Sequence, residues 1–103
     1  MRELKEQLED YLRSIKYFDD FNDNETIAFL ILREILEKRR NDMTNKQLKQ
    51  LKEGDKKLVE FYHKHKDDDV FKQEITTEVY LKNPIVSQIM VIESLAEKDI
   101  INL

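Results

Sequence analysis

The chain has 103 residues, 39% of them charged, with a net charge of −4, the profile of one solvated domain spanning residues 1–103. Its longest apolar run is six residues, far short of the ~20 that span a bilayer. With no cysteine, one glycine and one proline, disulfide and thiolate chemistry are excluded, as are glycine-rich phosphate loops and most tight hairpins.

The first periodic stretch is Leu4, Leu8, Tyr11, Ile15 and Phe18, spaced as one face of a helix over roughly residues 2–18. The two heptads are too few for a coiled coil and read as a bundle helix. Met1 is followed by the charged RELKEQLEDYLR, so no secretory leader is expected and the expected localisation is cytoplasmic. A polar break, DDFNDN, comes next, and Asn22-x-x-Glu25 has capping-box spacing at the start of a helix over 24–40. In TIAFLILREIL, Ile27 to Leu32 with Ile35 and Leu36 cover roughly 260° of the helix circumference. That predicts a central helix whose only solvent-facing strip is Thr26, Arg33 and Glu37. Glu34 projects among Leu30, Ile27 and Ile31; a pair with Lys38 is its ordinary reading, a tuned carboxylate the sharper one.

Thr44-x-x-Gln47 is a second capping box, opening a helix over 45–65 with Leu48, Leu51, Leu58 and Tyr62 in one register. Gly54 interrupts this run and Asp55 falls on its apolar seam. The phase survives across Gly54, which favours one continuous helix over a break with Asp55 as a new cap. Asp67 to Asp69 suit the start of a helix over 68–82 with Phe71, Ile75 and Val79 on its buried stripe. The alternation from Ile75 to Leu81 also fits a strand, but no second strand candidate exists to pair with it. Asn83-Pro84 is a cap followed by proline at the first helical position, opening a helix over 84–101. Its stripe is Ile85, Ile89, Ile92, Ala96, Ile100 and Leu103, and Val86, Met90, Val91, Leu95 and Ile101 lie outside that stripe.

Three constellations bear on chemistry. Glu60-x-x-His63 resembles half of the di-iron motif of ferritin-like bundles, with Glu34 as a further carboxylate; on the helix, however, Glu60 projects roughly 150° from the centre of the apolar face. His63 and His65 lie on opposite sides of that helix and do not share a metal there. The span 38–66 carries ten Lys/Arg against four Asp/Glu, a field for phosphates, though Glu53 and Glu60 interrupt it. A helix-turn-helix with Gly54 in the turn fits poorly, because the following position is Asp55. Ser14, Ser87 and Ser94 lack a nucleophile elbow, and two histidines leave little for general-base work.

These observations predict an all-α, single-domain bundle of about five helices. The function they favour is a non-catalytic protein–protein interaction or regulatory module, with no cofactor or metal. Its expected partner is a second copy of itself or another protein, through Val86, Met90 and Ile101, since exposed apolar surplus marks interaction sites. The alternatives are a nucleic-acid-binding regulator using the 38–66 face and, more weakly, a carboxylate–histidine metal bundle.

Overall fold

The structure, a computed structural model, describes residues 3–103. It contains α1 (Leu4–Lys16), α2 (Asp23–Lys38), α3 (Asn45–His65), α4 (Thr77–Lys82) and α5 (Pro84–Glu97), with short 3-10 turns at Phe18–Asp20, Arg40–Asp42 and Asp69–Lys72. No β-strand occurs among the described residues, so the all-α bundle stands. Residue 2, where the first helix was expected to open, lies outside the described residues, and Glu3 is the N-cap position of α1.

The caps explain most of the boundaries. Asn22 accepts from the Glu25 amide at 2.9 Å, and Thr44 and Gln47 form the reciprocal box at the start of α3. Asn83 accepts from the Ile85 amide at 3.2 Å, one residue before which Pro84 occupies a position that needs no amide hydrogen. α5 stops earlier than the sequence stripe implies. Asp99 takes a left-handed conformation (φ 60°), its amide donates to Ala96 O and that of Ile100 to Leu95 O, both at 3.0 Å. This is a Schellman ending with aspartate where glycine is usual.

α3 runs unbroken through Gly54, which is buried against α1. A Cβ added there would lie 2.9 Å from Ile15 Cδ1 and 3.2 Å from Leu12 Cδ2. The glycine therefore sets the distance between α1 and α3.

The helix expected over 68–82 is not continuous. Gln73 and Thr76 are extended, and the Thr76 side chain accepts from the Val79 amide to start α4 afresh. Three β-branched residues in a row, Ile75, Thr76 and Thr77, weaken helix at this point. No residue of the 3-10 turn or of α4 is fully buried, so packing does not outweigh that local preference. Ile75, expected on a buried stripe, is exposed.

Helices α1, α2, α5 and α3 pack in a closed ring, each touching the next, and α4 lies against α5. Phe18 anchors one end, with Phe29, Phe61 and Phe21 ring centroids at 5.0, 5.2 and 5.6 Å. The most buried helix is α5, which contributes Val86, Ile89, Val91, Ile92 and Leu95 to the interior. α2, expected to be central, is a wall of the ring. Its buried residues are Thr26, Phe29, Arg33 and Leu36, so the strip expected to face solvent points inward and the isoleucines point out.

Candidate functional site

The inward strip of α2 works because its charge is answered. The fully buried Arg33 guanidinium grips Asp55 of α3 with two bonds, Nε to Oδ1 at 2.9 Å and Nη2 to Oδ2 at 2.7 Å. Its third arm, Nη1, donates to Glu37 Oε2 at 3.0 Å. The Tyr11 hydroxyl of α1 donates to Asp55 Oδ1, and Arg33 lies 5.9 Å from the centre of the Tyr11 ring. One carboxylate thus ties α1, α2 and α3 together. Burial, the charge of Asp55 and its hydrogen bond all push the Tyr11 hydroxyl pKa well above its usual value. For Arg33, burial opposes the charge, but the hydrogen bonds and charge of Asp55 outweigh it and hold the pKa above its usual value. The cluster fixes which faces of α1, α2 and α3 meet.

Turning the polar strip inward leaves an apolar face outside. Ile27, Ile31 and Ile35, one helical turn apart, are 49%, 52% and 37% exposed, with Ala28 also exposed beside them. Along one side of this stripe, between α1 and α2, runs an open groove of about 560 Å³. Phe21, Phe29 and Leu32 contribute apolar lining, and Asp10, Arg13 and Ser14 of α1 line its polar side. Arg13 Nη1 donates to Asp10 Oδ1 at 3.3 Å on this rim. On the other side Glu34 pairs with Lys98, beyond the end of α5, rather than with the expected Lys38.

Comparison adds no assignment. No family model matches this chain, and no curated protein or solved structure shows significant similarity to it.

The residues expected at an interface are separated by the fold. Val86 and Ile101 are buried in the chain's own interior, at 1% and 5% exposure, because α5 is the inner helix. Met90 alone is exposed, at 51%, with Glu93 and Glu97 exposed one and two turns along. The exposed large apolar side chains that fall in one helical register are Ile27, Ile31 and Ile35 of α2. The hidden signal lay in two misfits, Arg33 within an apolar run and Asp55 on an apolar seam. Paired with each other, they reverse which face of α2 is inside.

The other constellations are dispersed. Glu60 and His63 are exposed on α3, while the half-buried His65 places Nδ1 2.9 Å from Asp68 Oδ2 and its ring 4.5 Å from that of Phe61. Glu34 is held by Lys98 on another face. Among the described residues, no three His, Asp or Glu side chains are grouped as metal ligands. Lys46, Lys49, Lys52, Lys56 and Lys57 are exposed on α3 together with Glu53 and Glu60. Continuity through Gly54 rules out a helix-turn-helix with its turn there. Among the described residues, no helix is long and apolar enough to cross a membrane.

Proposed function

We propose that this chain is a small, non-catalytic interaction module that acts through a helix face and associates with a second copy of itself through α2. The observation that carries the reading is the exposed line of Ile27, Ile31 and Ile35. Isolated exposed apolar residues are ordinary on any protein surface. Three in helical register, continuous with Ala28 and the apolar groove beside them, form the kind of patch that marks an association site. A two-fold dimer is the simplest closed way to cover it.

Sedimentation or light scattering across a concentration series tests this. The wild-type chain is expected to move from monomer to dimer in the micromolar range, as suits an interface at the small end of specific complexes. Ile31→Glu is expected to remain monomeric with an unchanged far-UV spectrum, because its side chain faces solvent in the free chain. Met90→Glu, on α5, is expected to associate as the wild type does. A wild-type chain that stays monomeric at about 1 mM would overturn the reading.

A further inference from the structure

We infer that the second copy docks with its α2 antiparallel to the first, on a two-fold axis passing beside Ile31, so that the two α1 helices also face each other. This inference rests on self-association through α2 and specifies its geometry. Two independent features of the surface are self-complementary about that axis.

The first is the stripe itself. Ile27 and Ile35 sit symmetrically four residues either side of Ile31. An antiparallel two-fold places each Ile27 against Ile35 of the second copy, with Ile31 against its own equivalent. The same operation brings the basic end of α2, where Lys38 is exposed, towards the acidic beginning of the other, where Glu25 is exposed. A parallel pairing sets like ends together.

The second feature is the charge on α1. Gln7 of α1 meets Arg39 just beyond the C-terminal end of α2, its Oε1 accepting from Nη1 at 2.7 Å. Tyr11 packs on Phe29 at 5.2 Å and on Arg33, so α1 runs antiparallel to α2 with Tyr11 level with Ile31. Asp10 and Arg13 therefore lie on opposite sides of the proposed axis. A two-fold perpendicular to α2 and lying in the interface keeps α1 and its equivalent on the same side of the stripe. Arg13 of each copy then faces Asp10 of the other. The two intrachain pairs, each at 3.3 Å, become one ring of alternating charge. A parallel pairing puts the α1 helices on opposite sides and loses this match.

The area argument also requires α1. Contact along three isoleucines alone falls short of the ~800 Å² per partner of a specific interface. Two helices per copy, each ~20 Å long, approach it and form a four-helix interface.

The chain has no cysteine, so single introduced cysteines report on the register without background. At concentrations where the wild type is dimeric, Ile31→Cys is expected to form a disulfide-linked dimer on oxidation. Ile27→Cys and Ile35→Cys are each expected to fail alone, since equivalent positions lie ~12 Å apart along the axis, beyond disulfide reach. Mixed together, these two are expected to cross-link. Arg13→Asp is expected to weaken association on the order of tenfold, and the swapped pair Asp10→Arg with Arg13→Asp to restore it. If Ile27→Cys, Ile31→Cys and Ile35→Cys each cross-link with themselves, the helices are parallel and the inference is overturned. It is equally overturned if a dimer that Ile31→Glu abolishes gives no Ile31→Cys cross-link. In both cases self-association through α2 survives, whereas a wild-type monomer at every concentration defeats that reading itself.

Discussion

Arg33 is the residue on which the arrangement of the bundle turns. A guanidinium with no solvent exposure is tolerated because Asp55 accepts two of its bonds and Glu37 a third. Removing Asp55 leaves the buried charge answered by Glu37 alone and two guanidinium donors without a partner, whereas removing the guanidinium together with Asp55 does not. Asp55→Asn is therefore expected to lower unfolding free energy by about 2–4 kcal/mol, measured by urea denaturation. The combined Tyr11→Phe, Arg33→Met and Asp55→Leu chain is expected to fall within about 1–2 kcal/mol of the wild type, because apolar packing replaces an interaction that burial had already made costly. Tyr11 adds a pH dependence. Its folded-state pKa lies above its unfolded value of about 10, so the neutral hydroxyl is the form the fold favours. That stability is fully present below about pH 10 and is lost as pH rises towards the higher folded value. Denaturation midpoints measured from pH 8 upward are expected to fall beyond about pH 10, and to fall less steeply in Tyr11→Phe.

At the scale of elements, what the sequence disclosed depended on whether the deciding information was local. The caps at Asn22, Thr44 and Asn83 are short-range patterns, and the helices they open begin where the patterns put them. The facing of α2 is a long-range property. With six apolar residues in a row, periodicity does not distinguish the side against α1 and α5 from the side against solvent, and only the match between Arg33 and Asp55 breaks the tie. The facing of α5 is long-range in the same way: Val86 and Ile101, outside its apolar stripe, are buried because α5 is the inner helix, while Met90 is exposed. The end of α5 was hidden because its left-handed residue is aspartate instead of glycine. That substitution makes a prediction. Asp99→Gly relieves the left-handed penalty while keeping the bonds to Ala96 O and Leu95 O, and is expected to stabilise the chain by about 0.5–1 kcal/mol in thermal unfolding. Gly54 behaves oppositely. Gly54→Val drives a branched side chain into Ile15, Leu12 and Tyr11, and is expected to cost more than about 2 kcal/mol.

For the molecule as a whole, the ring of α1, α2, α5 and α3 leaves the connection between α3 and α5 outside the cooperative core. Residues 69–82 contain no fully buried side chain, and α4 packs chiefly on α5. Regions with few buried contacts open at a smaller free energy than the global transition. Hydrogen exchange should divide the chain accordingly, with amides of 69–82 exchanging well before those of α5, and the inner face of α1 and the Leu51–Leu58 span of α3 protected to near the global limit. Lys72, at the end of the 3-10 turn with its side chain 74% exposed, should be the first site that trypsin cuts. Because α3 and α5 on either side pack against each other in one core, the nicked fragments should remain together in native electrophoresis and separate only in denaturant. If cleavage at Lys72 instead unfolds the chain at once, the α3–α5 connection carries part of the core's stability and the ring does not hold without it. The expected outcome leaves α1 and α2 intact, and a rigid α1–α2 face is what the proposed self-complementary docking requires, since ordering a loose one would consume the modest affinity that three isoleucines and a charge ring would provide.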